Sequence, residues 1–142
     1  MIIQTKYFGE IEIQEDQIIN FLEAIPGFPE EKQFIILRED DSDFAFFQSI
    51  KTESLCFITL PPGLIIGDYS FDLSKETVKK LELENAEDVF VYSILNIPED
   101  YKKMTANLKA PIVINTKNNK GIQELLDDDE HDLKHPVFRG EE

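Results

Sequence analysis

"FAFFQSI" (Phe44–Ile50) and "LCFITL" (Leu55–Leu60) are apolar at successive positions. A strand with one wet face alternates apolar and polar residues; these two do not, so both of their faces must be covered, as in the middle of a β-protein. Working outward, "QFIILRE" (Gln33–Glu39) reads as the preceding strand and "DDSD" (Asp40–Asp43) as the turn between them. Upstream, "IIQTKY" (Ile2–Tyr7) and "EIEIQ" (Glu10–Gln14) alternate around Phe8-Gly9, a half-exposed hairpin with Ile11 and Ile13 on one face. "IINF" (Ile18–Phe21) follows. "IPGFPEE" (Ile25–Glu31) must be a loop, because its prolines and glycine punctuate any regular element.

Downstream, "PPGLIIGDYS" (Pro61–Ser70) is a second such loop. One helix is predicted in "DLSKETVKKLEL" (Asp72–Leu83), with Ser74 as N-cap, Glu76 and Lys79/Lys80 suited to its dipole, and Val78 and Leu81 sharing one face; the helix is expected to lie across an opening of the sheet. "DVFVYSILNI" (Asp88–Ile97) is the longest strand, and Pro98 ends it. "TANLKAPIVINT" (Thr105–Thr116) gives two strand pieces around Ala110-Pro111, "NNKG" (Asn118–Gly121) a turn, and "IQELL" (Ile122–Leu126) the last strand. Many short strands and one short helix, without an internal repeat, make an all-β chain: a small single-domain antiparallel β-barrel-like or sandwich fold. The body is residues 1–126. Residues 127–142, with 7 acids against 2 bases, form an acidic C-terminal tail whose Val137 and Phe138 can dock back.

At 142 residues, 42% apolar and with 11 Phe, the chain has enough apolar material for one core. The net charge of −15 excludes direct nucleic-acid binding and an anionic membrane surface, both of which need clustered Lys and Arg. It leaves two readings open, a basic partner or solubility alone. The start carries no signal peptide and no stretch is long enough to span a bilayer, which places the chain in the cytoplasm.

Chemistry is poorly provided for. A single cysteine, Cys56, excludes an internal disulfide and reads as a buried small thiol. The only histidines, His131 and His135, have helical metal-ligand spacing, but Pro136 disfavours a helix there. Carboxylate pairs such as Glu15/Asp16, Glu30/Glu31 and Glu99/Asp100 are expected by chance in so acidic a chain. A hydrolase would need two of them in one cleft with separated pKa values. "MTANLKAPIVINTKNNKG" (Met104–Gly121) contains no His, Cys, Asp or Glu. It suits a surface that holds something better than one that converts it. The chain therefore reads as a non-enzyme with no cofactor or metal. The candidate partner-binding residues are loop apolars, Ile25 with Phe28, Leu64 and Ile65, and Tyr101; the acidic turn Asp40, Asp41 and Asp43; and Asn107. Each loop apolar has the alternative of plugging an end of the barrel, and Asn107 and Asn115 that of capping turns.

Several stretches resemble the flagellar assembly factor FliW family: the opening "MIIQTKYFGEIEI", the Ile25-Pro26-Gly27-Phe28 loop, "EDVFVYSILNIPED", "TANLKAPIVIN" (Thr105–Asn115) and "HPVF" near the end. The resemblance spans nearly the whole chain. It implies a small cytoplasmic non-enzyme that binds flagellin before export. It also implies binding of the RNA-binding translational regulator CsrA, antagonising CsrA repression of flagellin mRNA through a partner switch. On that expectation, the acidity lowers the positive potential of CsrA beside its RNA site, with Asp40, Asp41 and Asp43 as one contributing cluster. The alternative is an acidic nucleic-acid-mimicking inhibitor of a basic protein, acting by charge alone.

Overall fold

The computed structural model describes residues 1–127 and 130–138. Among the described residues there are eleven short strands, β1 (Ile2–Gln4), β2 (Glu10–Glu12), β3 (Ile19–Phe21), β4 (Gln33–Arg38), β5 (Ala45–Ser49), β6 (Cys56–Leu60), β7 (Val89–Asn96), β8 (Thr105–Ala106), β9 (Ile112–Asn115), β10 (Lys120–Gln123) and β11 (His135–Pro136), and one α-helix, α1 (Lys75–Lys80). Seven strands close a barrel in the order β7-β6-β5-β4-β3-β10-β9, sealed by the pairing of β9 with β7. All its pairs are antiparallel except β3 with β10, which run parallel.

Both-face coverage of β5 and β6 has a plain cause. Inward, Phe47 is fully buried and meets Phe21 and Tyr92 edge-on, at centroid distances of 6.4 and 5.1 Å. Outward, Phe46 meets Tyr7 and Phe8 from the turn of the β1–β2 hairpin. Phe44 and Ile58 are covered with Ile65, Ile66 and Tyr69 from the Pro61–Ser70 loop. The hairpin closes because Thr5 Oγ1 donates to the Gly9 carbonyl and accepts from Phe8 N–H, with Gly9 at φ +69°. That turn ends β1 at Gln4, three residues before the alternation in sequence stops.

β7 is shared among three partners: Val89–Tyr92 pair with β9, Ser93 and Ile94 with β6, Leu95 and Asn96 with β8. Between the pairs Tyr92–Ile112 and Leu95–Ala106, β7 advances three residues while the opposite chain advances six. The surplus bulges out as Asn107–Pro111, which is why one sequence run yields two strands. Asn107 makes the bulge: its N–H donates to Ile94 O, and its side-chain oxygen accepts from the N–H groups of Lys109 and Ala110. Asn115 does a similar task at the other end, donating to Leu81 O at the helix C-terminus and accepting from Lys117 N–H.

Four expectations need correction. The last barrel strand starts at Lys120, inside the predicted turn, because Lys120 and Gly121 pair with Asn20 and Phe21. A Cβ on Gly121 would stand 3.3 Å from Ile19 Cγ2, so the close parallel approach uses its missing side chain. In α1, capped by Ser74 as expected, the buried face is Thr77 and Leu81; Val78 is 37% exposed. Cys56 is half-buried rather than buried. The acidic C-terminal segment is also not wholly a tail. His135 and Pro136 pair with Ala106 and Thr105, Val137 N–H donates to Met104 O, and Leu108 N–H donates to Asp132 O. Residues 128, 129 and 139–142 of that segment lie outside the described residues.

Candidate interaction site

The loop candidates separate into those that turn inward and those that stay out. Ile25 is 4% exposed and belongs to the barrel core, so it plugs the end and is no surface anchor. Phe28 is half-buried, its ring 5.3 Å from Phe57. Ile65 folds back, half-buried, onto the cluster of Leu60 and Leu95. Leu64 and Tyr101 remain exposed, Tyr101 edge-on to Phe138 at 5.8 Å. Asp40, Asp41 and Asp43 occupy the β4–β5 turn and face solvent, Asp41 with φ +61°. Asn107 is engaged in its own turn, and its side-chain oxygen has no lone pair to spare for a partner after two backbone N–H groups.

Three of these residues nevertheless come together. Ile25, Phe28 and Asn107 line one groove of about 490 Å³ at an end of the barrel, with Phe57, Ile94, Leu125 and Leu133. Leu125 and Leu133 are the exposed apolar residues of this groove, and sequence reasoning missed both: Leu125 was hidden in a supposed strand and Leu133 in an acidic segment. The available signal was slight: each leucine directly follows an acid, Glu124 or Asp132. A second groove, of about 670 Å³, lies over the outer face of β7 between the Pro61–Leu73 stretch and the α1–β7 connection. Its lining residues are spread from Pro61 to Val91, too dispersed to be read as a motif.

The loop carrying Phe28 is pinned by Glu31. The hydroxyls of Ser49 and Thr52 both donate to its carboxylate. These donors, Ser49 first and then Thr52, hold the Glu31 pKa below its ordinary value against the opposing effect of burial, with a smaller contribution from Lys51. A lowered carboxylate pKa is the reverse of what a general acid needs. Because the folded value lies below the unfolded one, the stabilisation is present above the ordinary carboxylate range and disappears as pH falls through the folded value. Glu31→Gln is expected to cost about 1–2 kcal/mol at neutral pH. Urea midpoints followed downward in pH should show wild type and variant converging; a constant gap would rule out the charge as its source.

Cys56 is likewise unsuited to chemistry. Burial pushes its thiol up to about 11, with Lys6 opposing only weakly. Iodoacetamide labelling should be slow at neutral pH and accelerate toward the thiol's pKa, and a rate already at plateau near neutrality would contradict this. The histidines have separate surroundings: His131 packs on the Tyr69 ring at 4.9 Å, and His135 sits on β11 beside Asp132. Among the described residues no group of three His, Cys, Asp or Glu side chains is placed to hold a metal ion, and no helix is long and apolar enough to cross a membrane.

This barrel, with its bulged Asn107 segment and apolar end groove, matches a known family along nearly its whole length. The family model described as "FliW protein" aligns with residues 2–137. The chain belongs to the FliW family. Flagellar assembly factor FliW of Bacillus subtilis is 46% identical over 138 residues, covering 96% of this chain and 96% of that protein. FliW of Alkaliphilus metalliredigens is also 46% identical, over 140 residues, covering 97% of this chain and 86% of its own length. A crystal structure of the flagellar assembly factor FliW superposes with a TM-score of 0.94 at 38% identity, covering 100% of both chains. The relatives are thus flagellar assembly factors, and the all-β barrel with one short helix is the FliW fold.

Proposed function

We propose that this chain is a cytoplasmic flagellar assembly factor that binds flagellin and CsrA in exchange. Bound CsrA is kept from silencing flagellin mRNA; accumulating flagellin takes the protein and releases CsrA. The observation that carries the reading is the full-length agreement with FliW proteins in sequence and fold. Two physical features support it. An RNA-binding regulator must be basic where it meets phosphates, and a chain of net charge −15 attracts such a protein and repels its RNA. The end groove, with Leu125 and Leu133 exposed beside it, offers an apolar seat of the kind an amphipathic helix of flagellin requires.

The test is a competition titration. The complex with CsrA is formed first, flagellin is added, and CsrA release and RNA rebinding are followed at low and high salt. One-to-one release at both salts is the expected result. A complex that ignores flagellin and dissolves in salt would instead favour an acidic mimic acting by charge alone. No complex with either protein would sink the proposal.

A further inference from the structure

Three consecutive residues of the C-terminal segment join the end groove to the Pro61–Ser70 loop. Leu133, 58% exposed, lines the end groove. Two positions earlier, His131 packs edge-on against the ring of Tyr69, which lines the groove over β7. Asp132 lies between them, and its carbonyl accepts from Leu108 N–H at 2.9 Å. Two steps of chain span at most about 7 Å, so what moves Leu133 is felt at His131. Leu108 is the hub of this connection. It is fully buried in the bulge that Asn107 shapes, and its peptide is bonded on both sides, the N–H to Asp132 O and the carbonyl to the Tyr69 hydroxyl at 2.8 Å. The same bulge supplies Asn107 and Ala110 to the end groove. Both flanks of the segment are anchored. Leu126 is buried and its N–H donates to Lys109 O; from His135 on, β11 pairs with β8 and Val137 N–H donates to Met104 O. His131 is half-buried, and Asp132 and Leu133 are exposed. A short span of low local burial between two anchors is where movement concentrates.

We propose that residues 131–133, with Leu108 and Tyr69, form a lever that couples the end groove to the Pro61–Ser70 loop. The inference rests on the end groove being the flagellin seat, and it supplies the regulation of that seat. A helix entering the groove gains by burying Leu133 and draws that side chain inward. Asp132 and His131 follow as its chain neighbours. The bond from Leu108 N–H to Asp132 O and the contact of His131 with Tyr69 are then given up together, and the Leu108 carbonyl shifts from the Tyr69 hydroxyl. Ile65, Ile66 and Tyr69 of the loop, which cover Phe44 and Ile58, lose their brace. Flagellin thus acts on a surface that it does not cover, and CsrA, bound to the braced arrangement, is released without a contest for one footprint. That is coupling between two sites, not overlap.

The test follows amide hydrogen exchange of the full chain with and without flagellin. With flagellin bound, the N–H groups of Leu108 and of Tyr69, which donates to Ile66 O, should exchange roughly fivefold faster, the scale of one lost hydrogen bond, while amides of β4 and β5 stay unchanged. Unchanged exchange at both would overturn the lever. So would slower exchange at both, because flagellin would then cover the loop directly. Tyr69→Phe keeps the ring and removes only the bond to Leu108 O. It should change the separate affinities for flagellin and CsrA by less than about twofold, yet cut the factor by which flagellin weakens CsrA binding at least about fivefold. Leu133→Asp, at an exposed position, should weaken flagellin at least about tenfold. Flagellin binding that ignores Leu133→Asp overturns the lever. Exchange of the two partners that is the same in wild type and Tyr69→Phe rejects the lever and keeps the switch. Faster exchange at Leu108 and Tyr69 without release of CsrA keeps the lever and rejects the switch. Flagellin that does not bind rejects both.

Discussion

Phe47→Ala is expected to remove about 3–5 kcal/mol of stability, a large part of what a domain of this size possesses. Phe47 is fully buried on β5 and packs with Phe21, Tyr92 and the rest of the barrel core. The loss has two components: the transfer free energy of the ring, and the cavity left behind because neighbouring strands are hydrogen-bonded in register and cannot collapse onto it. Tyr92 makes the effect spread, since its hydroxyl accepts from the Arg38 guanidinium across the barrel. Urea unfolding should show a lower midpoint with an unchanged slope. A loss below about 1 kcal/mol would mean that the interior is not packed as described.

Gln48→Ala is the second large effect, expected at about 2–4 kcal/mol, and it arises from polar bookkeeping alone. Gln48 is fully buried. Its amide nitrogen donates to the carbonyls of Ser49, Thr52 and Glu53, holding the β5–β6 turn, and its oxygen accepts from Lys6 N–H in the first hairpin. Removing it leaves one N–H and several carbonyls without their buried partner. Hydrogen exchange at the Lys6 amide should accelerate more than exchange in β9 or β10. Equal acceleration everywhere would indicate global destabilisation and would contradict the local role.

Much of the fold was legible in the sequence because local rules and the tertiary arrangement agree. The doubly apolar Phe44–Leu60 segment, the Ser74 cap and the end of β7 before Pro98 each follow from residue chemistry alone. Errors arose where long-range contacts chose among locally equal options. Nothing near Lys120 announces that β10 will pair in parallel with β3, so its start was placed too late. Thr77 in place of Val78 on the buried face is decided by where α1 meets Val113 and Ile122. The site was less legible than the fold. Loop apolars look the same in sequence whether they plug a barrel, as Ile25 does, or stand in solvent, as Leu64 does. Asn107 was recognisable as a possible turn former, but its place beside an apolar groove depends on a bulge that only the β7 register reveals.

The parallel pairing of β3 with β10 also governs when this protein can come into being during its synthesis. Asn20 must wait for Lys120 before β3 gains its second neighbour. Until then a nascent chain carries β3, β4, β5 and β6 as an open curl, with Phe21, Phe34 and Phe47 uncovered on its inner face. The barrel closes only when nearly the whole chain has left the ribosome, a loop closure that is slow relative to the hairpins preceding it. Chains stopped short of residue 120 should therefore accumulate as sticky sheet fragments and not as smaller folded units.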